Sequence, residues 1–420
     1  MTNWKEYKLG DLVAVNERSI GRNFDIKNIE YIDTSSVTEN KFDTPTYTQI
    51  SEAPSRAKRL IADGDTIIST VRPIQKHYGF IKKAKGSQVV STGFAVVTPK
   101  KIEPRFLYYF LTQAEITEYL NTIAEGGTTT FPAFKADELK ELSIKLPDLP
   151  TQIAISEILS SLDDKIEHNT KINQELENLA QTLFKQWFID FEFPNENGEP
   201  YKSSGGEMVD SELGEIPKGW ELKKLGELVK KSNTGADAIK RAPIINEDTG
   251  VRCVRVGDMT NKRPFDEWGF CKITPEDYKR YKLEINDIVI TRTATLGINR
   301  IIRNEIKGVY NNGLIRLKMD ENKLIPLLAY CFFQSDAYKI WIERISGDSS
   351  TRPNMQINYL LDFPMYQCPI PIQSKFIDQA TVIFENLENN ILENRELIQL
   401  RDTLLPMLIS GELEVSEVLT

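Results

Sequence analysis

The chain has 420 residues, of which 40% are hydrophobic and 27% charged, and its formal net charge is −9. This length predicts about two to three domains, each large enough to bury a core. No run of eighteen apolar residues and no secretory signal is found, so we expect a cytoplasmic protein without a membrane span. The four cysteines lie in the second half of the chain without CxxC spacing, which favours reduced thiols over a zinc site.

The negative charge is concentrated outside two segments of similar length. Residues 1–150 carry 20 Lys/Arg against 19 Asp/Glu, and residues 220–371 carry 24 against 19. The intervening residues 151–219 are acidic, with 5 Lys/Arg against 14 Asp/Glu, and so are the final residues 372–420, with 3 Lys/Arg against 9 Asp/Glu. The two segments could therefore face phosphates, although a solvated surface would have much the same charge.

The first segment is predicted to be a mixture of short strands and helices. The expected elements are a turn at 63–65, a buried strand at 66–71, a β-rich run at 88–97, an amphipathic helix at 106–123, a polar loop at 125–132 and a strand at 139–146. The second segment repeats this order, with a strand at 286–291, a β-rich run at 308–318, a helix at 327–345 and a polar loop at 346–353.

Several landmarks recur between the segments. Pro132, Pro150 and Gln152 return as Pro353, Pro371 and Gln373, each at an offset of 221 residues. The chain is therefore predicted to contain an internal repeat whose copies are related by an approximate two-fold axis. Such a protein suits a two-fold ligand, of which duplex DNA is the commonest.

A long helix is predicted after each segment, over 151–192 and 372–412. Residues 193–219, rich in Pro, Gly, Asn and acid, are predicted to be a linker, and residues 413–420 a tail. Pro406 and Gly411 are expected to end the second helix.

Both helices carry apolar positions at alternating spacings of four and three, which is typical of a coiled coil. The first seam is Ile155, Leu159, Leu162, Ile166, Asn169, Asn173, Leu176, Ala180, Leu183 and Trp187. The second is Phe376, Ala380, Ile383, Leu387, Asn390, Asn394, Leu397, Arg401, Leu404 and Leu408, each at offset 221. Since a seam asparagine fixes register, we expect the helices to pack antiparallel, with Asn169 facing Asn394 and Asn173 facing Asn390. The alternative is two separate amphipathic helices, each lying on its own segment.

Several stretches resemble type I restriction–modification specificity subunits. They are LPDLPTQ (146–152), LFKQWFIDFEF (183–193), GEIPKGWELKKLGEL (214–228), QCPIPIQ (367–373) and RDTLLPMLISGEL (401–413). The resemblance spans essentially the whole chain, although Cys368 stands where a hydrophobic–proline pair is commoner. It implies an α+β fold with target recognition domains at 1–150 and 220–371, joined by two long helices packed as an antiparallel coiled coil.

The resemblance also implies a function. Each recognition domain would read one half of a bipartite site in the major groove of double-stranded DNA. The helices would set the spacer between the half-sites and dock two methyltransferase subunits, and restriction subunits would complete the complex. The chain itself would hold no cofactor, because S-adenosylmethionine, ATP and Mg would be bound by the partner subunits.

Motifs for catalysis are missing from the sequence. It contains no Asn/Asp-Pro-Pro-aromatic tetrapeptide for adenine methylation, no GxxxxGK[ST] phosphate loop and no HExxH metal motif. We therefore expect a non-catalytic chain without a metal site.

Candidate DNA-contacting residues follow from residue type and position. Base edges are read by Arg, Lys, Asn and Gln, whereas phosphates are also held by Ser and Thr. In the first segment the candidates are Arg56, Lys58, Arg59, Arg72, Gln75, Lys76, His77, Thr128, Thr129 and Thr130. In the second they are Arg292, Thr293, Asn299, Arg300, Asn311, Asn312, Ser349, Ser350, Thr351 and Arg352. Arg72 and Arg292 follow matching strands. Each candidate could instead be a solvated surface residue, and His77 fits a structural role equally.

Three rival functions remain open at the level of sequence. The chain could be the specificity subunit of a type IIB-like restriction–methyltransferase, a protein–protein scaffold, or a stand-alone enzyme. Trp187 and Phe188 could mark a docking face for the methyltransferase or belong to an ordinary core.

Overall fold

The computed structural model describes residues 4–21, 24–126, 132–212, 214–237, 239–346 and 353–418. The chain divides into two compact units. Unit 1 consists of Met1–Thr170 with Ile391–Thr420, and unit 2 of Lys171–Asn390. Each unit therefore contains one of the two segments and a part of each long helix.

Unit 1 contains twelve described strands and two short helices before the first long helix. They are β1 (Lys5–Lys8), β2 (Val13–Val15), β3 (Asn28–Ile32), β4 (Val37–Thr38), β5 (Lys41–Phe42), β6 (Thr46–Gln49), β7 (Ala57–Leu60), β8 (Thr66–Ser69), β9 (Tyr78–Phe80), β10 (Gln88–Ser91), β11 (Phe94–Pro99), α1 (Pro104–Leu111), α2 (Ala114–Glu125), β12 (Ser143–Leu146) and the long helix α3 (Leu149–Phe188).

The elements that follow belong to unit 2 until the second long helix returns the chain to unit 1. They are β13 (Met208–Ser211), β14 (Gly214–Pro217), β15 (Glu221–Lys224), α4 (Leu225–Leu228), β16 (Val229–Thr234), β17 (Ile244–Ile245), β18 (Arg252–Val254), α5 (Val256–Thr260), β19 (Gly269–Cys271), α6 (Pro275–Tyr281), β20 (Ile288–Thr291), β21 (Asn299–Ile301), β22 (Gly308–Tyr310), β23 (Leu314–Met319), α7 (Pro326–Phe332), α8 (Asp336–Ser346), α9 (Ile357–Leu361), β24 (Pro364–Gln367), the long helix α10 (Ile370–Ser410) and α11 (Val415–Val418).

Two four-stranded sheets form the framework of each unit. In unit 1 the orders are β2-β11-β8-β9 and β6-β3-β10-β7, and in unit 2 they are β16-β23-β20-β21 and β17-β19-β18-β22. Each unit also has one parallel strand pair, β3 with β10 and β18 with β22. The central strands β8 and β20 are buried along their whole length, as expected from their runs of Ile and Val.

Each amphipathic helix predicted after the second sheet is in fact two helices. In unit 1 the chain leaves α1 at Thr112, whose hydroxyl donates to the Tyr108 carbonyl (2.9 Å), and restarts at Ala114. In unit 2 the break falls at Ser335, whose hydroxyl oxygen accepts from the Tyr338 N–H (3.3 Å) as an N-cap for α8. In unit 2 a single capping side chain thus accompanies the break in a continuous apolar period.

The region predicted to be a linker is largely folded. Strands β13 and β14 form a hairpin. Phe191 and Phe193 are buried, and the Phe193 ring stacks on Trp220 with centroids 5.2 Å apart. Trp187 and Phe188 belong to the same buried cluster, so both are core residues of unit 2.

The second long helix continues through Pro406 and ends at Ser410. Gly411 follows with φ +78°, a left-handed conformation that glycine adopts at helix ends. Pro406 does not stop the helix, because Leu408 and Ile409 in the turn beyond it are buried in the core of unit 1.

Within each unit, parts of the two long helices contact one another. In unit 1 the Asn169 Nδ2 donates to the Asn394 Oδ1 (2.9 Å), and the Arg401 guanidinium donates to the Asp163 carboxylate (2.8 Å). In unit 2 the Asn390 Nδ2 donates to the Asn173 Oδ1 (2.9 Å). Both asparagine pairs expected from the sequence are therefore in contact.

Some of the remaining seam positions are partly or fully buried. Leu162, Ile166 and Leu176 are half-buried. Ile383 is buried with Ala180 in an apolar cluster of unit 2. Among the described residues, no helix combines the length and the apolar composition needed to cross a membrane.

Candidate nucleic-acid interface

In unit 2 the carboxyl ends of two parallel strands bring polar residues together. The Asn311 N–H donates to the Val254 carbonyl (3.1 Å), so the residue after β18, Arg255, lies beside the residue after β22, Asn311. The Arg292 N–H donates to the Gly313 carbonyl (2.9 Å), which adds the end of β20 to the same edge.

The chain approaches itself closely at this edge. A Cβ atom on Gly313 would lie 2.8 Å from the Val256 Cγ2 and 3.0 Å from the Thr293 Oγ1. The Asn311 Oδ1 accepts from the Gly313 N–H (3.1 Å), which closes a tight turn. The structure therefore brings together four candidates selected from the sequence, namely Arg292, Thr293, Asn311 and Asn312. We call the surface formed by Arg255, Val256, Arg292, Asn311 and Asn312 rim 2.

Unit 1 builds the same arrangement at the carboxyl ends of β3 and β10. The Thr70 N–H donates to the Gly93 carbonyl (2.8 Å), and the Gly93 N–H donates to the Ser91 Oγ (3.2 Å). A Cβ on Gly93 would lie 2.8 Å from the Thr34 Cγ2. Five positions therefore match rim 2, and we call them rim 1: Asp33, Thr34, Thr70, Ser91 and Thr92.

The two rims have the same backbone contacts and different side chains. Asp33 stands where rim 2 has Arg255, and Thr70 stands where rim 2 has Arg292. Burial raises the pKa of Asp33, but hydrogen bonds from Thr34 and Ser35 outweigh it and hold that pKa below its ordinary value. Rim 1 thus carries a hydrogen-bond acceptor where rim 2 carries a donor.

The predicted match between Arg72 and Arg292 is therefore displaced by two residues. The counterpart of Arg292 is Thr70, because the N–H groups of Thr70 and Arg292 bind the matching glycine carbonyls. Arg72 lies further along, exposed and with φ +48°, at the start of the turn that joins β8 to β9.

The other candidates of unit 1 are spread over neighbouring loops and one strand. The Arg56 carbonyl accepts from the Thr92 N–H (2.8 Å), which places Arg56 beside rim 1. Lys58 and Arg59 lie on β7, where Lys58 is exposed and the buried Arg59 Nε has no hydrogen-bond partner within the described part of the chain.

The turn after β8 carries the remaining unit 1 candidates. Gln75 is exposed, and Lys76 forms an ion pair with Glu39 (2.9 Å). The His77 Nδ1 lies 2.7 Å from the Val37 carbonyl, which ties this turn to β4 and gives His77 a structural role.

Asn299 and Arg300 have contacts unlike those of rim 2. The Asn299 Nδ2 donates to the Phe333 carbonyl (3.1 Å), joining β21 to the end of α7. Arg300 donates to the Arg263 carbonyl (2.6 Å), and burial lowers the pKa of its guanidinium. Both residues therefore support the scaffold near rim 2.

Two predicted loops cannot be placed. Thr128, Thr129 and Thr130, and likewise Ser349, Ser350, Thr351 and Arg352, lie outside the described residues.

The rim residues that sequence reasoning missed are Asp33, Thr34, Thr70, Ser91 and Thr92 in unit 1 and Arg255 and Val256 in unit 2. A usable signal was present in the sequence, since Asp33 and Arg255 each follow a short apolar strand and precede a turn. Their neighbours in space are distant in sequence, so only the parallel pairing of the strands brings them together.

The four cysteines are buried free thiols. In the part of the chain that the structure describes, no three His, Cys, Asp or Glu side chains are grouped so that they could hold a metal ion.

Comparison with known proteins gives a consistent result. The family model described as "Type I restriction modification DNA specificity domain" matches residues 1–178 and 217–400. The specificity subunit of the HindI type I restriction enzyme from Haemophilus influenzae is 28% identical over 98% of this chain and 100% of its own length. The MjaIX specificity subunit from Methanocaldococcus jannaschii is 30% identical over 99% of this chain and 90% of its own length.

A solved structure supports the fold. The crystal structure of a type I restriction–modification S subunit from M. genitalium has a TM-score of 0.60 and 16% sequence identity. The match covers 97% of this chain and 96% of that one.

Proposed function

The chain belongs to the type I restriction–modification DNA specificity family, and we propose that rims 1 and 2 each read one half of a bipartite DNA site. The chain is thus a DNA specificity subunit, and members of this class are non-catalytic. The finer assignment is that residues 1–150 and 220–371 are target recognition domains that enter the major groove.

One observation carries this assignment. The five positions of each rim rest on matching backbone contacts, yet their side chains differ in hydrogen-bonding character, with Asp33 replaced by Arg255 and Thr70 by Arg292. Direct readout of bases requires this combination, because the donor and acceptor pattern in the major groove changes with sequence while the groove keeps its shape. Two such rims fit two half-sites of different sequence.

We further propose that α3 and α10 form an antiparallel coiled coil within a two-fold internal repeat, and that their length sets the DNA spacer. The hydrogen bonds of Asn169 with Asn394 and of Asn173 with Asn390 support this packing, since paired polar seam residues specify register. The helices have 40 and 41 residues, or about 60 Å each at about 1.5 Å per residue. Half-sites one turn of DNA apart need readers about 34 Å apart, which helices of this length are able to span.

The partners follow from the family. We propose that the helices dock two methyltransferase subunits that carry S-adenosylmethionine, and that restriction subunits supply ATP- and Mg-dependent cleavage. In such a complex N6-adenine methylation and site-specific cleavage belong to the partners, and this chain chooses the site.

The test is methylome sequencing of cells that express the chain with its methyltransferase partner. We expect one bipartite motif with a fixed spacer. Exchange of residues 1–150 for the corresponding segment of a relative should change one half of the motif and leave the other half and the spacer unchanged.

Two results would contradict the proposal. A protein–protein scaffold would produce no motif at all. If both halves changed together after the exchange, the two units would not read DNA independently.

A further inference from the structure

Arg255 is held by a buried carboxylate. Asp258 is 1% exposed, and its Oδ2 accepts from both the backbone N–H of Arg255 (2.9 Å) and the Arg255 Nε (3.2 Å). Its other oxygen, Oδ1, accepts from the Arg263 guanidinium (3.3 Å). One carboxylate therefore orients two arginines at the edge of rim 2, and a buried charge shared in this way has a well-defined geometry.

The hydrogen bonds of Arg255 leave part of its donor capacity unused. Its Nε is occupied by Asp258, whereas its two Nη groups have no hydrogen-bond partner among the described residues. The side chain is 37% exposed, so a ligand can approach part of it from solvent. A guanidinium fixed through Nε presents its terminal donors as a planar fork.

Such a fork matches one base. Guanine alone offers two adjacent acceptors, O6 and N7, in the major groove, and bidentate pairing with arginine is the commonest specific contact to DNA. A phosphate would also accept from a guanidinium, but phosphate binding does not require the side chain to be fixed by a buried partner.

The position of Arg255 also favours a role in base reading. It lies beside Asn311 at the carboxyl ends of parallel strands, and the matching position in unit 1 is Asp33, an acceptor. The side chain at this position is an acceptor in unit 1 and a donor in unit 2, although the backbone contacts around it match. Such a change in hydrogen-bonding character is expected at a residue that determines sequence specificity. Arg263 differs, because it is more exposed (45%) and lies beyond α5, outside rim 2.

We propose that Arg255 reads a guanine in the half-site bound by unit 2, by donating from its Nη groups to guanine O6 and N7, and that Asp258 is the residue that positions it. This inference rests on the proposed function, and it adds one base and one residue to it.

The experiment measures DNA binding by the complex of this chain with its methyltransferase partner. Each guanine of the second half-site is replaced in turn by 7-deazaguanine, which lacks the N7 acceptor. With the unaltered chain, we expect one position at which the substitution weakens binding about ten-fold. Arg255→Met keeps an unbranched side chain but has no donor for guanine. Its binding to the natural site should fall by a similar factor, and the 7-deazaguanine substitution should then have no further effect.

Two further variants control for indirect effects. Arg241→Ala removes another partly exposed arginine of unit 2, which pairs with Asp277, and it should retain the full sensitivity to 7-deazaguanine. Asp258→Asn keeps the shape of the positioning residue, and it should reduce that sensitivity while the complex still assembles. If Asp258→Asn does not fold, the Arg255→Met comparison decides the matter by itself.

Several outcomes would overturn the inference. One is an unaltered complex that is insensitive to 7-deazaguanine at every guanine of the second half-site. Another is an Arg255→Met complex that keeps the sensitivity. The third is an Arg255→Met complex that loses affinity equally for all sequences and binds with a weaker dependence on salt. The last result would make Arg255 a phosphate contact. A complex without any bipartite preference would instead contradict the proposed function itself.

Discussion

Replacing Gln373 with leucine should strongly destabilise unit 2, because this side chain joins the start of α10 to residues of the segment 220–371. It is fully buried. Its Oε1 accepts from the Ile325 N–H (2.9 Å), and its Nε2 donates to the carbonyls of Lys323 (2.9 Å) and Cys368 (2.8 Å). Leucine fills a similar volume but leaves three backbone groups without this partner.

The size of the effect follows from those three contacts. A buried backbone group that loses its partner costs about 1–3 kcal/mol. Since leucine regains part of this by burying apolar surface, we expect a net loss of about 3–5 kcal/mol from the free energy of unfolding of unit 2. The matching residue of unit 1, Gln152, makes two such contacts, with the Glu103 N–H (3.0 Å) and the Pro147 carbonyl (2.9 Å). Gln152→Leu should therefore cost less.

Urea unfolding followed by tryptophan fluorescence measures the effect, since four of the five tryptophans, all but Trp4, lie in unit 2. Gln379→Leu is the matched control, because Gln379 is exposed on the same helix and in the same unit. A Gln373→Leu cost below about 1 kcal/mol, or equal to that of the control, would refute the assignment of Gln373 as the joint between helix and segment.

Three other changes test separate parts of the molecule. Gly313→Ala places a Cβ where the chain approaches itself closely at rim 2, so it should lower the methylation of DNA that depends on the second half-site. A Cβ on Gly257 would have nothing within 4 Å, so Gly257→Ala should leave methylation unchanged. Equal effects of the two changes in a methylation assay would argue against a role for rim 2. Two lysine partners, Lys282 followed by Lys318, hold the pKa of Glu284 at about 2, below its unfolded value. The ionised Glu284 carboxylate therefore stabilises the folded protein above the pKa that Glu284 has in the unfolded chain, and this stabilisation is lost as the pH falls towards 2. Glu284→Gln should accordingly lower the free energy of unfolding at pH 7 but not near pH 2, as measured by urea titration. Asn169→Leu combined with Asn394→Leu should leave the helices stable but permit shifted registers between them. Methylome sequencing would then detect several spacer lengths between the half-sites. A single unchanged spacer would show that these asparagines do not set the register.

The two asparagine contacts between the long helices were predictable because the pattern that suggested them is local and repeated. Every seam position lies three or four residues from the next, and the second helix repeats the pattern at offset 221. Helix ends were harder to predict because they depend on single residues. Pro406 suggested a stop that buried neighbours override, and Ser335 caps a new helix inside an apolar period.

The rims were less predictable for a different reason. Arg255 and Asn311 are more than fifty residues apart in sequence, and they meet only because β18 and β22 pair in parallel. Local composition directed attention to Arg292, the residue that follows β20 and forms one part of rim 2. It gave no indication that the turn after β18 completes that rim, because register between strands is a tertiary property.

In each rim, the glycine contacts that fix the backbone are distinct from the side chains in which the two rims differ most. Gly93 and Gly313 admit the close approach of the turn after β3 or β18, and the contacts that define each frame use their backbone N–H and carbonyl groups. Because the side chains of Asp33 and Arg255 take no part in these glycine contacts, they occupy the same frame without altering it. The buried glutamine at the start of each long helix lies outside both rims, so a change of reading side chains leaves the attachment to the helix intact. Under the proposed function, new half-site preferences would arise by substitution at the rim positions, but a change at Ser91, Asn311 or Arg255 would also remove a hydrogen bond made by that side chain.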